Sequence, residues 1–271
     1  MKLRVKTIFT FLLAFILLNT TAYAEKFVRQ NNFLNEKNRF ERVAQIKKFQ
    51  AIANLEVDGV LGKRTKDLLY NPDLIVYDLI EKPPTKGYWI AVNKSRRTLT
   101  LYHGNITVNK YAVALGAKDT PTPSAKGKIN SKVVNPAWGG MNGKYEPRAA
   151  DDPLNPLGER WLGLNLGPKL RGYGIHGTIL PGQIGSYVSN GCIRMFNYDI
   201  ETEVFPKVGK GTPVWIGTNE ELASWGVRQI VDKQKGGAII QESTPDPVIE
   251  LLPEEKEKVE VVNFNTLVGN D

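Results

Sequence analysis

The sequence predicts a mainly β domain preceded by a small α-helical domain. Near the start, Phe40, Val43, Ile46 and Phe49 recur at helical spacing, whereas beyond residue 87 the apolar period changes to alternation. The alternating part consists of short apolar runs separated by Gly, Asn and Pro turns, which is typical of β-sheets. The chain of 271 residues is 41% hydrophobic and 24% charged. It is therefore long enough for one sizeable core and a smaller companion domain.

Residues 1–24 have the pattern of a secretory signal peptide. Basic residues precede an apolar run from Ile8 to Leu18, and the small-x-small sequence Ala22-Tyr23-Ala24 offers a cleavage site. The run is short for a membrane span, and an uncleaved anchor is the alternative. We therefore expect a protein exported to the periplasm or cell wall, with no stable membrane insertion after signal cleavage.

The net charge of +8 is unevenly distributed along the chain. Residues 1–24 carry +3 and residues 242–271 carry −6, which leaves +11 on residues 25–241. A basic exported body suits an anionic polymer such as a cell wall, and nucleic acid is not expected as a partner outside the cytoplasm.

Residues 27–72 are interpreted as a small helical module. A tight turn at Asp58-Gly59 separates the first helix from a second one, which Thr65 is expected to cap. The spacing of apolar and glycine positions between Phe49 and Leu68 resembles the peptidoglycan-binding-like module, a three-helix bundle found attached to cell-wall enzymes. The alternative is a helical hairpin that packs on the main domain.

Residues 73–87 are expected to form a linker, because two prolines and a glycine in EKPPTKG end any helix. Residues 88–217 then form the mainly β domain. Residues 218–271 form a C-terminal extension that we expect to be partly disordered, since from about residue 236 it mixes Pro, Glu and Lys. The Gly- and Pro-rich stretch at 135–160 has little periodicity, and a loop of that length is usually functional.

Strands are predicted where apolar residues alternate within the β domain. Leu99 and Leu101 share one face of a strand over 97–102, a turn follows at 103–105, and ITVNKYAVALG (106–116) returns as the second strand of a hairpin. Further short strands are expected at 88–93, 128–134, 161–165, 173–178 and 213–216.

Cys192 is the only cysteine in the chain. An exported protein lives where disulfides form, yet one thiol has no partner within the chain, so Cys192 is buried, dimer-forming or reactive. His176 precedes it by 16 residues and could take the thiol proton. Gly191 lets a substrate approach the sulfur closely and lets backbone amides face an oxyanion. The alternative is a buried structural cysteine with a core histidine.

Residues 177–191 carry no charged side chain, so the group that orients His176 must be a backbone carbonyl or a distant residue. Arg171 and Arg194 bracket the cysteine and histidine and could hold a substrate carboxylate. Each is otherwise a plain surface charge. The second histidine, His103, falls in a hairpin turn and is interpreted as structural.

The motifs of the β domain resemble the L,D-transpeptidase family with the YkuD-type catalytic domain. IHGT (175–178) and GCIRM (191–195) resemble its catalytic signature, and TPTP, NPAW and NPLGERWLGL follow the family's order upstream. GTPVWI at 211–216 is similar to its closing strand. The resemblance extends over essentially the whole β domain.

This resemblance implies a β-sandwich-like catalytic domain that remodels peptidoglycan and needs no metal or organic cofactor. It implies that Cys192 is the nucleophile toward a tetrapeptide stem and that His176 is the general base, with the carbonyl of Gly177 orienting its ring. Amides around Gly191 and Cys192 would stabilise the tetrahedral intermediate. An amine of a second stem would resolve the thioester into a 3→3 cross-link.

Substrate binding is carried over from the family to Arg194 and Ser189. Many family members have a second histidine just before the Gly-Cys pair, where this chain has Asn190, and an amide cannot serve as a base. We therefore expect His176 to suffice, and the loop at 135–160 to form part of the acceptor site. The open alternatives are an L,D-carboxypeptidase, in which water resolves the thioester, a transpeptidase that attaches proteins to the wall, and a non-catalytic wall-binding scaffold.

Overall fold

The computed structural model describes residues 36–71 and 74–233, so the signal predicted at 1–24 and the tail beyond 233 lie outside the described residues. The mainly β domain and the helices that precede it are confirmed. The main α-helices are α1 (Arg39–Ile52), α2 (Lys63–Tyr70) and α3 (Asn219–Ser224). Three shorter helical segments are a four-residue turn at Gly140–Gly143, a 3-10 turn at Pro181–Gln183 and a π-helix at Asp199–Val204. The strands are β1 (Leu74–Ile80), β2 (Tyr88–Asn93), β3 (Thr98–His103), β4 (Ile106–Gly116), β5 (Ala125–Val134), β6 (Arg160–Asn165), β7 (Gly174–His176), β8 (Tyr187–Ser189), β9 (Ile193–Met195), β10 (Pro213–Gly217) and β11 (Val227–Lys233).

Nine of these strands form one sheet, in the order β3-β2-β10-β5-β6-β7-β9-β4-β8. A further antiparallel pairing of β3 with β4 closes the sheet on itself, and β8 is attached to β4 as a short parallel strand. Each strand that alternation predicts within the β domain is present. Strands β7, β8 and β9 have three residues each, too few to display a period; β7 is predicted within the longer segment 173–178, whereas β8 and β9 are not predicted.

Strand β2 is buried on both faces, which explains its nearly continuous apolar sequence. Ile90 and Val92 belong to the main core cluster inside the closed sheet. Trp89 and Ala91 face a second cluster with Tyr102, which includes residues of α3 and β11. The residues after 217 therefore cover one face of the central strands.

Helix α1 packs against β4, where Ala51 contributes to a small apolar cluster with Ala112 and Ala114. Ile46 and Phe49 are buried, as the helical spacing predicts, whereas Phe40 in the first turn is 81% exposed. The hairpin of α1 and α2 thus packs on the main domain. Its kinship with the peptidoglycan-binding-like module stays a prediction.

The predicted cap at Thr65 is wrong, because α2 begins two residues earlier, with Gly62 as its N-cap. Thr65 lies inside the helix and is buried, and its hydroxyl accepts a hydrogen bond from the Gln50 side chain at 3.2 Å. The same Gln50 side chain accepts hydrogen bonds from the amides of Asp58 and Gly59. The glutamine therefore organises the turn between the helices and uses Thr65 for that purpose.

The segment predicted as a linker, 73–87, contains a strand. Strand β1 pairs antiparallel with β11, from Leu74 opposite Lys233 to Ile80 opposite Val227. The described part of the C-terminal extension, residues 218–233, contains α3 and β11, and a capping box of Thr218 and Glu221 starts α3. Strands β2 to β10 and helix α3 separate β1 from β11 in sequence, so no local pattern indicates that they pair.

A buried ion pair joins β1 to the closed sheet. The ammonium of Lys110 on β4 donates to one carboxylate oxygen of Asp78 at 2.5 Å, and Tyr102 donates to the other at 2.7 Å. The side chains of Lys110 and Asp78 are 6% and 0% exposed. The charge pair is therefore almost completely removed from water.

We expect Asp78→Ala to lower the free energy of unfolding by about 3–5 kcal/mol, because it leaves a buried ammonium without its counter-charge. Urea denaturation measures the loss. Glu81→Ala is the matched control, since it removes an exposed ion pair to Arg228 beside the same two strands and should cost less than about 1 kcal/mol. Equal losses in the two variants would contradict the prediction.

Candidate active site

A cavity of about 940 Å³ brings together Cys192, His176 and Arg194. Its wall also includes residues of the loop predicted as an acceptor site, among them Trp138 and Tyr145. The described residues that line it include no Asp or Glu side chain. The charged groups that face the cavity are therefore cationic.

Two short parallel strands bring the histidine and the cysteine together. In the pairing of β7 with β9, Ile175 lies opposite Ile193 and His176 opposite Arg194. The chain leaves β7 at His176, contributes the short strand β8 to the other side of β4, and enters β9 directly after Cys192. The 15 residues between the two, 177–191, thus form one connection between neighbouring strands, and this connection includes β8.

The thiol of Cys192 is half-buried and free. Its Sγ donates a long hydrogen bond to the carbonyl of Gly172 at 3.6 Å. Burial raises the pKa of this thiol above its usual range, while the backbone of Gly174 and the charge of Arg194 act in the opposite direction. At neutral pH the cysteine is therefore predominantly a thiol, and it needs a base to become a nucleophile.

The imidazole of His176 is 3% exposed, and its Nδ1 lies 2.7 Å from the carbonyl oxygen of Gly177. A carbonyl only accepts hydrogen bonds, so this contact places the proton on Nδ1 and leaves Nε2 as the basic nitrogen. Burial lowers the pKa of His176 to about 4, with a further contribution from Arg194, and the carbonyls of Gly177 and Leu157 oppose this. The ring is therefore neutral across the physiological range.

Within the described part of the chain, no hydrogen bond joins the Cys192 thiol to the His176 ring. The sulfur contacts Gly172, and Nδ1 of the ring contacts Gly177. Hydrogen bonds between catalytic groups are often long in unliganded enzymes and tighten when substrate binds. The geometry is that of two neutral groups in one cavity.

Trp161 is a member of the site that sequence reasoning missed. It lies opposite His176 in the pairing of β6 with β7, and the two rings stack at 5.7 Å with an interplanar angle of 28°. A side chain at position 174 would come within 2.3 Å of the Trp161 ring, so only Gly174 leaves room for it. The NPLGERWLGL motif contains this tryptophan, but its contact with the histidine depends on strand register.

Asn197 is a second residue that sequence reasoning missed. Its Oδ1 accepts a hydrogen bond from the Thr178 amide at 2.7 Å. A Cβ at position 177 would lie 2.3 Å from the same oxygen. Asn197 therefore packs directly on Gly177 and braces the turn whose carbonyl contacts His176.

The loop at 189–192, which carries Cys192, is closed by its own hydrogen bonds. The Ser189 hydroxyl donates to the Cys192 carbonyl at 2.6 Å and accepts from the Gly191 amide at 3.1 Å. Gly191 has φ +107°, and a side chain there would lie 2.7 Å from the Tyr173 ring. The Ser189 hydroxyl is therefore engaged within the loop, and the Gly191 amide already has an acceptor.

The TPTP motif braces the same loop from the other side. Thr120 donates its hydroxyl to the Ser189 carbonyl, and Thr122 donates to the Gly191 carbonyl, each at 2.9 Å. The motif lies about 70 residues upstream of the loop that it holds. This contact gives a motif noted only for its resemblance a physical role.

Arg194 and Arg171 both line the cavity but differ in their surroundings. Arg194 donates through Nη1 to the Gln183 side chain at 2.9 Å, and its Nε is buried without a partner. Burial lowers its pKa. Arg171 is exposed and donates only to the Pro168 carbonyl, at 3.3 Å.

Asn190 and His103 occupy different places. Asn190 lines the cavity, where its side-chain oxygen accepts from the Lys144 ammonium at 3.5 Å. His103 is exposed at the end of β3, and its ring meets Tyr88 edge-on at 4.9 Å. His103 is not part of the cavity lining.

Residues 36–71 and 74–233 contain neither a cluster of potential metal ligands nor a helix that could span a membrane. No group of three or more His, Cys, Asp or Glu side chains is arranged to hold a metal ion. No helix in these ranges is both long enough and apolar enough to cross a bilayer.

Comparison with known proteins gives matches to one family. The model of the YkuD L,D-transpeptidase catalytic domain matches residues 87–216. The candidate L,D-transpeptidase YqjB of Bacillus subtilis is 35% identical over 142 residues, which are 52% of this chain and 77% of that protein. The candidate L,D-transpeptidase YkuD of the same organism is 33% identical over 189 residues, 70% of this chain and 96% of that protein. The crystal structure of L,D-transpeptidase 3 from Mycobacterium tuberculosis is 18% identical, with a TM-score of 0.41 over 48% of this chain and 61% of that one.

Proposed function

The chain belongs to the family of L,D-transpeptidase catalytic domains, and from this premise we propose that it forms 3→3 cross-links in peptidoglycan through a thioester on Cys192. One observation carries the proposal. His176 is the last residue of β7, Cys192 directly precedes the neighbouring parallel strand β9, and both residues line the same cavity. The export signal in the sequence is consistent with action in the periplasm or cell wall.

The acylation step starts from a neutral pair. As Sγ of Cys192 attacks the carbonyl that precedes the terminal D-alanine of a tetrapeptide stem, Nε2 of His176 takes the thiol proton. The S–C bond forms, and the carbonyl oxygen becomes an oxyanion. Collapse of this intermediate breaks the C–N bond, and His176 returns the proton to the departing D-alanine amine.

The oxyanion needs backbone donors, and the Gly191 amide is already donated to Ser189 at 3.1 Å. We therefore assign the Cys192 amide as an oxyanion donor and give Gly191 and Ser189 the role of holding the loop in shape. The positive φ of Gly191 supports this assignment, because it sets the direction of the peptide that precedes the nucleophile.

The second step transfers the acyl group to an acceptor. An amine of a second stem attacks the thioester, loses a proton to His176, and forms the amide of the cross-link while the Cys192 thiol is regenerated. Water in place of the amine gives an L,D-carboxypeptidase, and an amine of a protein gives attachment to the wall. The loop that carries Trp138 and Tyr145 forms part of the acceptor side of the cavity in this proposal.

The charge of the cavity suits an anionic peptide. Stem peptides carry free carboxylates, and the lining offers Arg194 and Arg171 with no acidic side chain among the described residues. Arg194 has a buried Nε without a partner, which a substrate carboxylate or carbonyl could satisfy. We assign stem binding to Arg194 and an auxiliary role to Arg171.

The proposal is tested by incubating the purified protein with a disaccharide-tetrapeptide and analysing the products by mass spectrometry. A dimer that has lost one D-alanine is the expected product. A tripeptide monomer as the only product would replace the proposal with carboxypeptidase action. Absence of both products would contradict it and favour a wall-binding scaffold.

Asn190→Ala is expected to keep more activity than His176→Ala in this assay. The Asn190 side chain contacts Lys144 and Tyr145 on the cavity wall and cannot accept the thiol proton, so its loss should lower kcat/KM by about tenfold or less. Initial rates of dimer formation for the two variants give the comparison. Equal losses would show that position 190 takes part in the proton transfer.

A further inference from the structure

The helical hairpin makes a specific contact with the loop that supports Arg194. We propose that Lys47 of α1 is a positioning residue of the active site, which acts through the loop at 181–185 and Gln183 on Arg194. Its effect on turnover rests on the proposed function, whereas its effect on the reactivity of Cys192 does not.

Lys47 is buried, and both its ammonium and its aliphatic chain make specific contacts. Its side chain is 7% exposed, and its Nζ donates to the Gly182 carbonyl at 3.0 Å. The aliphatic part lies between two glycines, because a Cβ at Gly59 would come within 2.9 Å of it and one at Gly185 within 3.4 Å. Burial lowers the pKa of Lys47, and Arg97 lowers it further, so this ammonium is held at a cost in solvation.

The loop has further attachments to the hairpin. A Cβ at Gly185 would lie 3.0 Å from both the side chain and the carbonyl oxygen of Val57, so the two segments touch at backbone distance. Ile184 is completely buried in the same apolar cluster as Ala51 and Val57. Arg97 donates through Nε to the Val57 carbonyl at 2.9 Å, and this hydrogen bond holds the segment around Val57 against the sheet.

The loop in turn reaches the reacting groups. Gln183, next to the carbonyl that Lys47 holds, accepts a hydrogen bond from Nη1 of Arg194 at 2.9 Å. The charge of Arg194 acts on both Cys192 and His176, whose pKa values it lowers. A continuous series of contacts therefore runs from the hairpin to the nucleophile, by way of one backbone carbonyl and one glutamine.

This series joins a segment outside the matched family domain to the catalytic loop. The family model begins at residue 87, forty residues after Lys47. Without this contact, Gly182 would lose the donor to its carbonyl, and Gln183 would gain freedom to leave Arg194. The hairpin thus serves as a support for the active site of its own chain, in addition to any ligand that it binds.

The test compares Lys47→Met, Gln183→Leu and the double variant in the full-length chain. Lys47→Met keeps the aliphatic packing and removes the donor. The rate of Cys192 alkylation by iodoacetamide, measured against pH, reports the thiol pKa without any need for turnover. We expect each single variant to raise that pKa and to lower kcat/KM about tenfold, and the double variant to be no worse than the more severe single one.

Lys63→Met is the matched control, since Lys63 is an exposed lysine of α2 that pairs only with Asp67 and should leave both measurements unchanged. Multiplying effects in the double variant would overturn the proposal, as would an unchanged thiol pKa in Lys47→Met. If Lys47→Met fails to fold, Gln183→Leu alone decides, because an unaltered alkylation profile there breaks the proposed series. A wild-type chain without transpeptidase activity would refute the proposed function but leave the alkylation result valid.

Discussion

Cys192→Ala is expected to abolish product formation, with a loss on the order of 10⁴-fold or more in kcat/KM. Sγ carries the acyl group between donor and acceptor in the proposed reaction, and the sequence contains no second cysteine that could replace it. The substitution removes only a small, half-buried group, so the fold should persist. Unchanged thermal unfolding of the variant verifies that the loss is chemical.

Intact-mass spectrometry separates the role of the thiol from substrate binding. A brief incubation of the wild-type protein with a tetrapeptide donor should add the mass of the tripeptide acyl group to the chain, and Cys192→Ala should add none. Cys192→Ser is the matched control, because it keeps a hydroxyl of similar size that is a much poorer nucleophile near neutral pH. An adduct on the alanine variant would place the acyl group elsewhere and refute the assignment of Cys192.

The closed sheet was predictable where pattern is local and was missed where pairing is distant. ITVNKYAVALG at 106–116 becomes β4 because its apolar residues alternate and the turn before it is short. Strand β1 follows a helix and precedes two prolines, and its partner β11 is the last strand of the described chain. Nothing in the sequence near Leu74 indicates the pairing of β1 with β11, and the prolines that follow favour a linker over residues 73–87.

The candidate site divides in the same way. The single cysteine, the histidine 16 residues before it and the glycine-rich segment between them predict the reactive pair, since a nucleophilic thiol needs a nearby base and an accessible backbone. Trp161 and Asn197 enter the site through strand register and turn packing, which short motifs do not encode. The hydrogen bond from the Gly191 amide to Ser189 likewise depends on the shape of the loop. The sequence therefore does not reveal that this amide is already engaged and that the Cys192 amide is the better oxyanion donor.

The activity should be unusually tolerant of acid. Burial, with a contribution from Arg194, lowers the pKa of His176 to about 4, so the neutral imidazole that accepts the thiol proton persists well below pH 6.5. A pH profile of kcat/KM should therefore be flat from neutrality to about pH 5 and should fall to half near pH 4. A midpoint near 6.5 would contradict the buried, neutral imidazole.

His176→Ala should remove this acid limb together with about 10²–10⁴-fold of the rate, the usual contribution of a general base. The pH dependence of Cys192 alkylation reports the alkaline side, where the thiol itself loses its proton. Because burial raises the pKa of the thiol, its reaction with iodoacetamide should accelerate only above the usual thiol range of about 8.5. His103→Gln is the matched control, since His103 is exposed and outside the cavity lining, and it should keep both limbs in place.

The same depressed pKa makes His176 a source of acid instability. Below pH 6.5 the unfolded chain binds a proton at this residue that the folded chain does not, so stability falls as the pH falls from 6.5 to about 4 and changes no further below that. The difference corresponds to about 3 kcal/mol. Urea denaturation at pH 7 and pH 4 should therefore show a smaller acid-induced loss in His176→Gln than in the wild type, by roughly that amount. His103→Gln should lose as much as the wild type, and an equal loss in His176→Gln would mean that the imidazole is protonated in the folded protein and cannot serve as the base.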